Sequence, residues 1–143
     1  MADPFFSRLL GLAFRPETPP TDLALAALLV RVARADESYD AAEARRIDQA
    51  LIAWHGLGPF EAAKLRSEAE KLETVAPDTV RFTRVLKDAV PLADRTALVE
   101  ALWSVALADG VRDPDEEQLI RLVASLLAVS DQDSARARQR AAR

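Results

Sequence analysis

The chain has 143 residues, 50% of them hydrophobic and 29% charged, a size and balance at which one domain can bury a working core. The absence of cysteine excludes a disulfide scaffold, a thiolate zinc site, an iron–sulfur cluster and a cysteine nucleophile, and a single histidine, His55, argues against most histidine-centred catalysis. A formal net charge of −4 is the wrong sign for gripping nucleic acid, and no apolar run approaches the roughly 18 residues of a membrane span.

Residues 1–20 form a segment of their own, an amphipathic stretch followed by a proline-rich linker. Phe5, Phe6, Leu9, Leu10, Leu12 and Phe14 make it apolar, but Asp3 precedes any basic residue and Arg8 interrupts the run. No small-x-small cleavage site follows, so a secretory signal is not expected and a cytoplasmic location is. Phe6, Leu9, Leu10 and Ala13 recur at helical spacing, which suits a short helix that packs on the body or lies at the surface of the inner membrane. With only Arg8 and Arg15 as cations, the segment has little grip on anionic lipid, and packing is favoured.

After Pro16, Pro19 and Pro20, Thr21 is placed to cap a nearly continuous apolar helix from Asp22 to about Ala35, expected to be central and buried. A second helix from about Ala41 carries Ile47, Leu51 and Trp54 on one face and ends at His55, where Gly56 supplies a left-handed C-cap. Pro59 opens a third helix to about Glu73, whose charges from Lys64 onward read as a solvated face. Pro77, Pro91 and Pro114 are expected to open three more, the middle one running to about Ala108. Ser130 caps a terminal helix, with Asp131 and Asp133 in its first turn and Arg136, Arg138, Arg140 and Arg143 toward a solvated end that is also able to dock an acidic partner. The class is all-α: one compact domain over residues 21–143, of seven or eight short helices with short connections.

Offset by 73 positions, the chain matches itself. Over residues 29–47 against 102–120, eight of 19 positions are identical, in the pattern V-A-x-A-D-x-x-x-D-x-x-E-x-x-x-I. Two related helical hairpins, arranged about a pseudo-two-fold axis, are expected. Asp40 and Asp113 stand where N-caps belong, with Glu43 and Glu116 as the N3 partners of capping boxes. Asp36 and Asp109 follow the C-terminal, negative ends of apolar helices, where a carboxylate needs compensation. Two arrangements supply it: the carboxylate closes the turn on backbone N–H groups, or Asp36, Asp40 and Glu43, and Asp109, Asp113 and Glu116, hold a hard divalent cation, whether calcium, magnesium or manganese. Asp115, Glu117 and Gly110, the last free to take positive φ, make the second copy the better cation candidate; Glu37 stands in Gly110's place in the first. The spacing is not that of an EF-hand.

The motifs Val32-Ala33-Arg34-Ala35-Asp36 and Val105-Ala106-Leu107-Ala108-Asp109-Gly110, each followed by D-x-x-E, resemble those of the tellurite-resistance TerB family over about residues 22–135. Phe82-Thr83-Arg84 and the stretch from Leu126 to Asp131 are similar to its standalone bacterial members, while Glu37-Ser38-Tyr39 replaces the usual glycine-containing turn. The resemblance implies an all-helical cytoplasmic protein of stress and metal-ion responses, an acidic cluster suited to cations, and protein partners among membrane-bound or calcium-binding tellurite-resistance components.

His55 reads as a packing or capping residue, and Trp54 and Trp103 as core. No phosphate-binding loop, dinucleotide fingerprint or zinc-protease motif occurs. A non-enzymatic interaction module, weakly self-associating at most, is the leading expectation. A metal-dependent hydrolase whose paired acidic clusters converge, or a purely structural and oligomerising helical domain, are the alternatives.

Overall fold

Helix α1 (Thr21–Ala33) has nine of its thirteen residues buried, because apolar side chains occupy every face of it. A helix apolar all round must be enclosed, and α1 packs against five of the six helices that follow: α2 (Ala41–His55), α3 (Pro59–Val75), α4 (Thr79–Ala89), α5 (Leu92–Ala106) and α6 (Pro114–Leu126), leaving only α7 (Asp131–Ala141) without contact. This is a computed structural model, and it describes residues 20–35, 39–75, 78–108, 110 and 113–143. Among them there are seven helices and no strand, so the all-α expectation holds.

The internal repeat is larger than a hairpin. The strongest packing within each half is of first helix on third, α1 on α3 and α5 on α7, and in each half the second helix touches both. Thus α1–α2–α3 and α5–α6–α7 are equivalent three-helix units, with α4 inserted between them and packed on α1, α5 and α6. Contacts between the units exchange in pairs, α1 with α6 and α5 with α2, as a two-fold relation requires. The repeated apolar positions Leu29 and Leu102, Val32 and Val105, Ala33 and Ala106, and Ile47 and Ile120 are all core. The third helices escape sequence comparison because the start of α7 follows the start of α6 by one residue fewer than the start of α3 follows that of α2, moving the offset from 73 to 72. At the shorter offset Gly56 pairs with Ala128, both left-handed with φ of 67° and 60°, and Arg66 pairs with Arg138.

Several helix starts differ from expectation. Thr21 lies inside α1; the N-cap is Pro20, which offers no side-chain bond. Pro77 lies outside the described residues, and α4 is capped by Asp78, whose carboxylate accepts the Val80 N–H at 2.9 Å. Pro91 is an N-cap rather than a first helical residue. Pro59 and Pro114 do open their helices, and Ser130 caps α7 by accepting the Asp133 N–H at 3.1 Å. The end of α7 is not simply solvated. Arg138 bonds Glu117 of α6 at 2.9 Å and lies 5.0 Å over the Trp103 ring, while Arg140 reaches Glu100 of α5 at 3.0 Å. Trp103 is core and donates Nε1–H to Ser134 Oγ at 3.2 Å, whereas Trp54 is only half-buried.

Helix α6 ends in a Schellman arrangement, with the Val129 N–H on Ala124 O at 2.9 Å and the Ala128 N–H on Ser125 O at 3.0 Å. Ala128 is exposed and takes the left-handed conformation at a position glycine would occupy without a Cβ penalty. Ala128→Gly is therefore expected to stabilise the fold by about 0.5–1 kcal/mol, seen as a higher denaturation midpoint with an unchanged slope.

Candidate functional site

The two copies of the acidic motif begin with the same backbone. The Arg34 N–H bonds Val30 O and the Leu107 N–H bonds Trp103 O, both at 2.9 Å; the Ala35 and Ala108 N–H groups then bond Val32 O and Val105 O, both at 3.2 Å. The chain therefore leaves both helices in the same way. Asp36 and Asp109, the acids that follow, lie outside the described residues, as do 37–38 and 111–112. Gly110 takes φ +73°, the left-handed conformation expected of it.

The next acids are capping residues. Asp40 Oδ1 accepts the Glu43 N–H at 2.9 Å while Glu43 Oε1 accepts the Asp40 N–H at 3.4 Å, a complete capping box at the start of α2. Asp113 Oδ1 accepts the N–H groups of Asp115 at 2.8 Å and Glu116 at 3.0 Å at the start of α6. Asp40 is exposed, whereas Glu43 and Glu116 are buried at the positive ends of their helix dipoles, where a carboxylate is electrostatically welcome. Among the described residues no three histidine or acidic side chains gather as a metal-holding group. Helix capping therefore accounts for the placement of Asp40, Glu43 and Asp113 seen here, and Glu116 contributes its backbone N–H to the Asp113 cap.

The first copy is braced by a polar cluster that sequence inspection assigned to a solvated helix face. Glu73 of α3 pairs with Arg34 at 2.8 Å and with Arg31 at 3.4 Å. The same arginines bond the last carbonyls of α3, Arg34 to Glu70 O at 3.1 Å and Arg31 to Glu73 O at 3.2 Å, and Arg31 adds Thr79 Oγ1 at 3.1 Å. Arg31 also lies 5.2 Å over Phe82, and Arg34 5.3 Å over Tyr39. Arg66 joins α3 to α2 through Asp48 at 2.6 Å and bonds Glu70 at 3.3 Å. The overlooked signal was on α1: two arginines three residues apart at the end of an otherwise apolar helix must find acceptors where the helix is enclosed. The second copy has Ser104 and Leu107 at these positions and no such brace.

Burial pushes the Tyr39 hydroxyl up to about 12, with the Glu70 carboxylate adding to the rise and Arg66 opposing it. His55 is shifted the other way from its ordinary value: burial favours the neutral ring, and Asp22 opposes this. Its place at the end of α2, beside Trp54, is a packing position. The surface grooves around Trp103 and Arg138, around Phe60 and Leu65, and around Trp54 and Ala101 are not lined by a motif acid.

These features define a class: a duplicated three-helix protein in which each unit turns from its first to its second helix through an acid-capped A-x-A-D-x-x-x-D-x-x-E segment. The family model described as "Tellurite resistance protein TerB" matches residues 22–139, and the chain belongs to the TerB family. Searches of curated proteins and of solved structures found no match.

Two outcomes follow. Asp40→Ala removes a cap and is expected to cost about 1 kcal/mol by denaturant unfolding, with Asp40→Asn, which keeps the acceptor, costing less. Tyr39 is the only tyrosine, so tyrosinate absorbance reports it alone and is expected to titrate near 12. Because the folded value lies above the unfolded value of 10.0, this group's contribution to stability is intact below pH 10 and is lost as pH rises toward 12, a loss that Tyr39→Phe abolishes.

Proposed function

We propose that this protein is a non-enzymatic interaction module of a bacterial tellurite or metal-ion stress response, whose two acid-capped turns take a hard divalent cation: calcium, magnesium or manganese. The ligands would be Asp36, Asp40 and Glu43 in one unit and Asp109, Asp113 and Glu116 in the other. The observation that supports this most is that both units repeat the same helix exit and an aspartate N-cap at matching positions of the motif. Capping alone accounts for Asp40 and Asp113; it leaves Asp36 and Asp109 beside the negative ends of α1 and α5, the position where a cation offsets both helix dipole and carboxylate.

In this scheme the capping aspartates hold the start of the second helix while the preceding aspartate binds at the end of the first. Occupancy then ties the two helices of a hairpin together and stiffens the surface around the turn, which is offered to a protein partner, including membrane-associated tellurite-resistance components. The cytoplasm, or its face of the inner membrane, is the compartment this requires. No helix among the described residues is long and apolar enough to cross a membrane.

The test is an amide NMR titration of the metal-stripped protein with calcium, magnesium, manganese and zinc, repeated on Asp109→Asn and Asp113→Asn. Saturable changes over residues 109–116 that disappear in Asp109→Asn are expected. At one hundred times the dissociation constant the cation should add about 2.7 kcal/mol to stability. No change at millimolar cation, with the variants only less stable, would leave the acids as helix caps and overturn the cation reading.

A further inference from the structure

Beside the first turn of α1 lies a groove of about 350 Å³ lined by Leu57, Phe60 and Leu65 and by the charged residues Asp22, Glu61, Lys64 and Glu68. Phe60 is 83% exposed, the most exposed large apolar side chain among the described residues, and with Leu57 and Leu65 it gives the groove an apolar lining open to water. Three acids against one lysine make the rim negative. We infer that this groove is the docking site of the chain's own N-terminal segment, residues 5–15.

Three observations converge on that occupant. Its chemistry is complementary: helical spacing puts Phe6, Leu9, Leu10 and Ala13 on one stripe, and its charged residues, Arg8 and Arg15, are both cations, matching Asp22, Glu61 and Glu68. Its tether is the right length, because residues 16–20, three of them proline, span about 15 Å when extended. Its point of attachment is adjacent, since the described chain begins at Pro20 and Asp22 is itself a wall of the groove. A tether this short supplies its ligand at about millimolar effective concentration, so modest contacts suffice for occupancy. Docking of the segment would cover both its own apolar stripe and Phe60. This holds whether or not the acidic turns bind a cation, because neither surface includes them.

The chain has no cysteine, so Ser7→Cys in the full chain takes one nitroxide label. The amides of Leu57, Phe60, Glu61, Lys64 and Leu65 are expected to lose most of their intensity at every protein concentration. Either Leu9→Glu or Phe60→Glu, the second at a site too exposed to threaten folding, should restore them. Unchanged intensities overturn the proposal. So does a loss that appears only when labelled protein is mixed with unlabelled isotope-enriched protein, which would make the occupant a second copy, or quenching confined to samples with anionic phosphatidylserine vesicles, which would assign the segment to lipid.

Discussion

The enclosure of α1 is the constraint from which the rest of the architecture follows. A helix with apolar residues on every face has no side to give to water, and five helices surround it. Its charged residues are confined to its ends, Asp22 at the start and Arg31 at the last turn, with Arg34 as the C-cap. Because both arginines emerge at the edge of the core, they bond where α3 also ends, to Glu73 and to the closing carbonyls of that helix. Burial of one helix thereby determines the relative placement of two others and the geometry of the turn that carries the first acidic motif.

Duplication explains how a chain of this length achieves such enclosure. Each unit contributes a first helix to the centre and a second and third to cover it, and α4 fills the seam between units. Ion pairs stitch both units, and those between the first and third helices have opposite polarity in the two. In the first unit the arginines of α1 reach acids and carbonyls on α3; in the second, the arginines of α7 reach Glu100 on α5 and Glu117 on α6. Arg66 and Arg138, equivalent by position, both bond the second helix of their own unit, yet to acids that are not equivalent, Asp48 and Glu117. Such divergence is tolerated because a half-exposed pair requires only an acceptor within reach, whereas the apolar positions must preserve shape.

In the acidic turns, helix capping is compatible with the proposed cation binding. Carboxylates at the start of α2 and α6 satisfy N–H groups and sit at positive helix ends, so they stabilise the hairpins without needing a bound cation. The negative ends of α1 and α5 face the same turns, and cation binding, if it supplies the proposed function, draws on that neighbouring field. Membership of the TerB family and the duplicated fold are established independently of that chemistry.

Much was legible in the sequence because it depends on local rules. Proline and glycine punctuation, the apolar periodicity and the D-x-x-E capping signature identified seven helical segments, the limits of α2, the capping box of Asp40 and the left-handed Gly56 and Gly110. The eight identities likewise revealed the duplicated hairpin. What tertiary structure alone decided are contacts between residues far apart in the chain: the Arg31, Arg34 and Glu73 cluster, Arg66 on Asp48, the docked arginines of α7, and the inclusion of α3 and α7 in the repeat. A charge on an amphipathic helix reads the same whether it meets water or a partner forty residues away, and a one-residue difference in the spacing of second and third helix conceals homologous helices from a fixed offset. The sequence by itself therefore determined the helices, the caps at Asp40, Asp113 and Ser130 and most core-facing positions, since these depend on neighbours within about one turn; packing decided which charged side chains became structural, since only the assembled helices bring their partners within reach.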